Sequence, residues 1–262
     1  MSFQDLLEAL PMWGVFIAFA LLALALYEVG FRIGCWWQKR TPEEKEGPTG
    51  MLVGSIFALM AFLLAITMGM ASDRYDTRRG LVLAEANSIG TTYLRAGYLP
   101  GPASSQSREL LREYVPLRIG TTDLEDLAAN LARSDEILDD LWSVAEGLAK
   151  NEPGSEMLAL YIDSLNETID MDTNRVTAAL YARVPETVLL LLFVGAALTL
   201  GMVGFNAGLT GRRSPLTAIV MIVVLGAVIT LIIDIDRPTG GTLTVSQQPI
   251  IELNEQINST VP

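Results

Sequence analysis

Hydrophobic residues are concentrated in four runs that carry no formal charge, at residues 12–27, 50–72, 187–211 and 214–233. A helix needs about 20 apolar residues to cross the hydrocarbon core of a bilayer, because it rises about 1.5 Å per residue. The last three runs reach this length and the first does so marginally. We therefore predict four transmembrane helices, the first of them an N-terminal anchor span.

The region between the second and third runs, about 110 residues, has helical and not strand-like spacing. Apolar and aromatic side chains continue past the second run at intervals of three and four, at Tyr75, Val82, Ala86, Ile89 and Tyr93. This spacing predicts that the second span continues as one long helix beyond the bilayer, as far as the turn that begins at Pro100.

Three more helices are predicted before the third span. One starts with Ser104 or Ser105 as N-cap and ends near Pro116, and another starts at Ser155 and leads towards Pro185. Between them, Thr122–Glu125 has the capping-box pattern.

Heptad spacing of leucines from Leu124 to Leu148 predicts that this middle helix packs lengthwise against another helix. In the C-terminal tail, Pro249–Ile257 is a short amphipathic helix. We expect its apolar side to lie at the membrane interface or on a neighbouring subunit.

These elements predict an all-α integral membrane protein with four transmembrane helices and a helical domain inserted between the second and third. The predicted parts follow in chain order: an anchor span and short basic loop at 1–49, the second span at 50–72, a helical extramembrane domain at 73–184, the third and fourth spans at 185–236, and the tail at 237–262.

Composition supports the membrane assignment and excludes several activities. Half of the residues are apolar, 18% are charged and the mean hydropathy is +0.37. Without histidine the chain cannot form a His-ligated zinc site, a Ser-His-Asp triad or a Cys-His dyad, and the single Cys35 rules out an intramolecular disulfide. We expect no enzyme activity, no metal and no cofactor.

Charge bears on partners and on orientation. The net charge is −12, and residues 73–183 carry 19 acids against 11 bases, so nucleic-acid binding is disfavoured. Six cations lie in the two short loops, whereas the opposite side has only Arg237. The positive-inside rule then predicts that both termini and the central domain are extracytoplasmic. Five further arginines beside the central domain would make the number of cations equal on the two sides of the membrane. We leave them out of the count, because long loops cross the membrane largely regardless of their charge.

Three sets of residues are candidate sites. Glu28 and Arg32, four residues apart, form either a functional intramembrane ion pair or an interfacial pair with a snorkelling arginine. A charged collar where the second span leaves the bilayer could form a ring around an axis, where its acids attract cations and its arginines attract anions, or it is a solvated helix surface. Its members are Asp73, Arg74, Asp76, Arg78 and Arg79.

Small residues recur every three or four positions along the second span, and they serve helix packing or line a narrow pore. They are Gly54, Ala58, Ala61, Ala65 and Gly69. The pairs Asp170/Asp172 and Asp234/Asp236 could suggest a divalent metal or a sugar-nucleotide site. A helix surface and a membrane exit explain them better, because no nucleotide-binding fold surrounds them.

Two stretches resemble the bacterial bestrophin-like domain family of four-span proteins. The first runs from Ala61-Phe-Leu-Leu-Ala65 through Arg74–Arg79 and Glu85–Ala96 to Leu110–Val115. The second is Asp234-Ile-Asp-Arg-Pro238, followed by Gly241 and Val245-Ser246. The resemblance spans about 45–255. It implies a multi-pass protein of the bacterial inner membrane and an oligomeric ion channel, with a cytoplasmic middle region as in bestrophin-type chloride channels.

We therefore expect a homo-oligomer in the lipid bilayer that conducts inorganic ions, with the second span near its axis. The alternative is a non-conducting sensory or interaction protein that acts through its acidic helical domain. The heptad helix favours this alternative, since its seam could face a partner chain.

Overall fold

The described part of the chain folds into helices and contains no strand. The computed structural model describes residues 4, 7, 9–41, 47–120, 124–237 and 241–259. Within these residues the helices are α1 Met12–Arg40, α2 Gly47–Ala96, α3 Gly101–Leu117, α4 Leu124–Asn151, α5 Glu156–Leu180, α6 Glu186–Thr210, α7 Pro215–Asp236 and α8 Gln248–Ser259. The all-helical prediction is confirmed for this part of the chain.

Four of these helices, α1, α2, α6 and α7, are long and apolar enough to cross a membrane. They coincide with the four uncharged runs. Helix α1 continues to Arg40 and has 29 residues, so the first span is longer than its uncharged run indicated. Helix α2 has 50 residues, or about 75 Å, and runs without interruption to Ala96. The predicted continuation of the second span is therefore confirmed.

The chain divides into two compact units. The first unit comprises Met1–Arg74 and Arg183–Leu243, and it contains α1, α6, α7 and the part of α2 up to Arg74. In it, α1 packs most extensively against α6 and also contacts α7.

Glycines allow the backbones of α1 and α6 to touch. A Cβ atom on Gly34 would lie 3.0 Å from the Cα atom of Gly208, and one on Gly204 would lie 3.0 Å from the backbone nitrogen of Phe31. Such close contact is typical of helices packed in lipid. Lipid provides no hydrophobic driving force for helix association, so the helices associate through van der Waals contact at small residues.

The second unit comprises Tyr75–Ala182 and Thr244–Pro262. Its core contains the part of α2 after Tyr75 together with α3, α4, α5 and α8. The fully buried side chains at its centre include Ile89, Tyr114, Leu141, Tyr161 and Ile250.

The heptad seam of α4 lies in this core. Ser134, Leu138, Leu141 and Ala145 are buried, and α4 contacts α3 and α5. The predicted lengthwise packing is confirmed from Ser134 onwards, whereas the capping box lies largely outside the described residues. Since the seam faces helices of the same chain, it is not a free surface for a partner.

Two expectations about helix ends have clear outcomes. Ser155 caps α5, because its hydroxyl accepts a hydrogen bond from the backbone N–H of Leu158 at 3.3 Å. The predicted start of α3 is wrong: the helix begins at Gly101, ahead of both serines, with Pro102 in its first turn. Proline suits this position because the first backbone N–H groups of a helix have no partner within it.

The expectation for the tail helix is also wrong. Ile250, Leu253 and Ile257 are buried in the core of the second unit, and α8 contacts α3. The apolar side of α8 is therefore covered by the chain itself, and not by lipid or a neighbouring subunit.

Candidate functional site

The second span is the span that the rest of the chain covers least. In its most apolar stretch 11% of the residues are buried, against 28%, 33% and 39% for α1, α6 and α7. All five small residues of this span are exposed: Gly54, Ala58, Ala61, Ala65 and Gly69. Within the described residues, no packing atom comes within 4 Å of a Cβ built on either Gly54 or Gly69.

The small residues form a single stripe along α2. At 3.6 residues per turn they lie within about 80° of one another around the helix axis. The buried side of the same span carries Met60, Thr67 and Ala71. A Cβ on Gly195 of α6 would lie 3.2 Å from the sulfur of Met60. Helix α2 thus packs through one side, and the described part of the chain leaves the small-residue stripe uncovered.

The residues of the predicted charged collar differ in burial. Asp73, Asp76 and Arg79 are exposed, Arg74 is half-buried, and Arg78 is buried. Asp76 follows Gly69 by seven residues, or about two turns, so it continues the side of the helix on which the stripe lies. The acids therefore remain available to solvent or to another copy, whereas Arg78 is not accessible in this way.

Glu28 and Arg32 form the predicted pair, with 2.9 Å between Arg32 Nε and Glu28 Oε1. Sequence analysis missed a second arginine: Nη2 of Arg213 lies 3.3 Å from the same carboxylate oxygen. The Arg213 guanidinium also lies 4.2 Å from the ring centroid of Phe31. Because α1 and α6 are in backbone contact, the loop after α6 is brought beside the last turns of α1.

A buried ion network in the second unit was also missed. Both oxygens of the fully buried Glu85 carboxylate are paired, one with Arg118 Nε at 2.7 Å and the other with Arg175 Nη1. Arg118 Nη1 also pairs with Asp172 Oδ1 at 2.8 Å. Arg175 Nη2 donates to the Arg118 carbonyl at 2.9 Å and to the side-chain oxygen of Gln247. Two acids and two bases thus neutralise one another and join α2, α5 and the tail.

Tyr114 completes this network by donating a hydrogen bond to Asp172 Oδ1 at 3.1 Å. Burial raises the pKa of the Tyr114 hydroxyl well above its ordinary value, although the Arg118 guanidinium opposes this. Tyr114 is therefore a neutral donor at physiological pH. The interpretation of Asp172 as a helix-surface residue is wrong, although its companion Asp170 is exposed.

One signal in the sequence could have indicated the network. Glu85 falls on the apolar side of α2, next to Ala86 and between Val82 and Ile89, where an acid needs a buried partner. The sequence gives no indication of which arginine supplies it.

The second aspartate pair anchors the end of α7. The Asp234 carboxylate accepts hydrogen bonds from the backbone N–H groups of Thr242 at 2.6 Å and Leu243 at 3.2 Å. Asp236 Oδ1 accepts one from the N–H of Val184 at 2.8 Å. These bonds fix the chain where α7 ends, which agrees with the membrane-exit interpretation.

Arg237 ties the N-terminal segment to the same place. Its Nη2 donates to the carbonyl oxygens of Leu7 and Leu10, the latter at 2.8 Å. Within the described residues, no group of three or more acidic or cysteine side chains is arranged to hold a metal ion.

Together, these features define a multi-pass membrane protein whose described residues are helical and include four helices able to span a bilayer. A family model described as the Bestrophin-like domain matches residues 14–250. The chain therefore belongs to the bestrophin-like family, as its sequence resemblance indicated.

Solved structures agree with this family. A crystal structure of a bacterial bestrophin homologue from Klebsiella pneumoniae, determined as a mutant, matches with a TM-score of 0.65 and 14% identity, over 94% of this chain and 97% of that chain. The homologue phased with zinc matches with a TM-score of 0.63 and 15% identity, over 95% and 98%. At these identities the likeness shows the fold. A comparison with curated proteins gives no match.

Proposed function

We propose that this protein forms a homo-oligomeric ion channel in the bacterial inner membrane, with α2 of each copy beside a shared axis. The observation that carries the proposal is the exposed stripe of small residues from Gly54 to Gly69. Small residues let helix backbones approach closely in lipid, and they leave space for a pore where the helices do not touch. The bestrophin-like family, whose known homologues are channel-type membrane proteins, supports the same function.

A second copy of this chain is the partner that best fits the stripe. Every copy presents the same face, and a rotational arrangement would place the stripes around one axis. Large apolar side chains such as Leu59 and Phe62 are also exposed on α2, and they would face lipid or neighbouring helices at the flanks of the stripe.

The exposed acids give this assembly a way to select ions. In an oligomer, the carboxylates of Asp73 and Asp76 from neighbouring copies would approach within about a Debye length, roughly 8–10 Å at physiological salt. Rings of acidic side chains favour cations at the mouth of a pore. We therefore infer that the collar concentrates cations where α2 leaves the bilayer, with the second unit as a domain outside the bilayer.

Ion flux into liposomes that contain the purified protein tests the proposal. We expect flux above that of empty liposomes and a particle mass of several chains. Replacing both acids, Asp73→Asn and Asp76→Asn, should lower cation selectivity most strongly at low ionic strength. Arg133→Gln, which changes an exposed charge on α4, is the matched control and should leave selectivity unchanged. Flux no higher than in empty liposomes, across several ions and pH values, would refute the channel.

The alternative function is that of a non-conducting sensory or interaction protein. The burial of the α4 seam in the chain's own core removes the feature that favoured it. A monomer crosslinked to a different protein, and without flux, would nevertheless support this alternative over the channel.

A further inference from the structure

A groove of about 480 Å³ lies in the second unit, between the last turns of α2, helix α3 and the tail helix α8. This volume lies in the range of pockets that hold small molecules. The groove has no part in the proposed conduction pathway. Its two kinds of wall, one cationic and one apolar, indicate what it can bind.

The cationic wall consists of Arg108 and Arg112, four residues apart on α3. Their guanidinium carbons lie 5.2 and 5.6 Å from the ring centroid of Tyr93, and Arg112 Nη2 donates to the Tyr93 hydroxyl at 2.8 Å. A Cβ on Gly97 would lie 3.1 Å from the guanidinium carbon of Arg108. Glycine at this position leaves the space that the guanidinium occupies.

Both arginines have N–H donors that remain without an acceptor among the described residues. An arginine carries five N–H donors. Among the described residues, Arg108 has one hydrogen-bond acceptor, the Tyr93 carbonyl, at a long 3.5 Å. Arg112 pairs with Glu109 at 3.2 Å, but its Nε is buried without an acceptor within the described part of the chain.

The remaining wall is partly apolar, with Asn87, Thr91 and Gln256 among its polar members. Leu83, Ala86, Leu253 and Ile257 line the groove. Glu252 is the only acid among the described lining residues, and Glu109 offsets the charge of Arg112 from outside the lining, so Arg108 is the lining cation without an acid within 4 Å among the described residues. This balance suits a ligand with one negative charge and an apolar tail better than a phosphate monoester with two.

We propose that the groove binds a monocarboxylate with a short hydrocarbon tail. The carboxylate accepts charge-assisted hydrogen bonds from Arg108 and Arg112, because the planar guanidinium matches a planar carboxylate. The tail lies mainly against the exposed side chain of Leu83, with the edges of Leu253 and Ile257 beside it. Bound in this way, the ligand bridges α8 to α2 and α3.

Calorimetric titration of the full-length protein in zwitterionic nanodiscs, with hexanoate as the probe, tests this proposal. Hexanol, which lacks the charge, and acetate, which lacks the tail, should each bind at least about tenfold more weakly than hexanoate, since each loses one of the two kinds of contact. Equal binding of hexanoate and hexanol would overturn the proposal, because nonspecific partition into lipid would then explain both.

Variants locate the site. Arg108→Gln and Arg112→Gln should each weaken hexanoate binding about tenfold, whereas Arg133→Gln, which lies outside the groove, should have no effect. Glu252→Gln should tighten binding several-fold because it removes a like charge, so the test does not depend only on loss of function. If the two groove arginine variants bind like Arg133→Gln, or Glu252→Gln fails to tighten binding, the assignment is wrong.

A neighbouring copy is the other occupant that the groove could take. Gln256→Cys, introduced after Cys35→Ser and labelled with a thiol-directed photocrosslinker, would then crosslink one copy to another, and hexanoate would not bind. That pair of results would also overturn the proposal.

Discussion

Neutralising Glu85 should destabilise the second unit more than any other single loss of charge in it. In the native protein both oxygens of this fully buried carboxylate contact guanidinium groups, and the side chains of Arg118 and Arg175 are 5% and 14% exposed. Glu85→Gln keeps the size of the side chain but leaves two buried cations with Asp172 as their remaining acid. Breaking a buried, hydrogen-bonded ion pair on one side typically costs about 3–5 kcal/mol.

Thermal unfolding of the purified protein in a mild detergent, followed by intrinsic fluorescence, measures this loss. For a chain of this size we expect a fall in melting temperature of the order of 10 °C. The matched control is Glu113→Gln, which removes the half-exposed carboxylate that lies 2.7 Å from Arg133. That variant should change the melting temperature little, because exposed ion pairs contribute little to stability.

A double variant separates the loss of the ion pair from a general packing defect. Glu85→Gln with Arg175→Gln restores a neutral network, so it should lose less than the sum of the two single variants. If Glu85→Gln shifts the melting temperature no more than Glu113→Gln, or if the double variant loses the full sum, the buried network does not stabilise the unit as described.

The remaining predictions concern packing, pH and orientation. Gly204→Ala should destabilise the protein by about 1–3 kcal/mol, because its Cβ meets the backbone of α1, whereas Gly201→Ala has open space and should be tolerated; equal melting temperatures would refute this contact. Burial and the Asp172 carboxylate raise the pKa of Asp135, so the folded state penalises its charged form and loses stability as pH rises through that pKa. Asp135→Asn should therefore raise the melting temperature at pH 7, with a gain that vanishes at acidic pH, and a constant gain would contradict it. The cation count predicts activity for a periplasm-only reporter fused after Pro100, and an inactive fusion would give the cytoplasmic orientation that the bestrophin likeness implies.

The spans were predictable because the bilayer imposes a length and a composition that can be counted along the chain. The uncharged runs coincide with α1, α2, α6 and α7, and the spacing after Tyr75 predicted the continuous helix to Ala96. Helix ends were harder to predict. Both Pro100 and the two serines carry start signals, and local preference did not show that α3 would use the proline.

Long-range pairing could not be predicted from local patterns. Glu85 lies 33 positions from Arg118 and 90 from Arg175, and no spacing rule joins residues on different helices. The amphipathic pattern of α8 correctly indicated that one side is covered. It could not identify the cover, since lipid, a neighbouring subunit and the core of the same chain all bury apolar side chains equally well.

One cysteine placed on the small-residue stripe tests whether α2 of each copy lines a shared ion pathway. The native Cys35 is first replaced by serine, and Ala65→Cys is then introduced. The matched position is Leu59→Cys, which is also exposed but lies about 120° away around the helix at 3.6 residues per turn. A positively charged thiol reagent is applied to both variants in liposomes. If the stripe lines the ion pathway, ion flux through Ala65→Cys falls to the level of empty liposomes, while Leu59→Cys keeps its flux. Equal loss of flux at both positions, or no loss at either, would contradict the proposal that α2 lines the pathway.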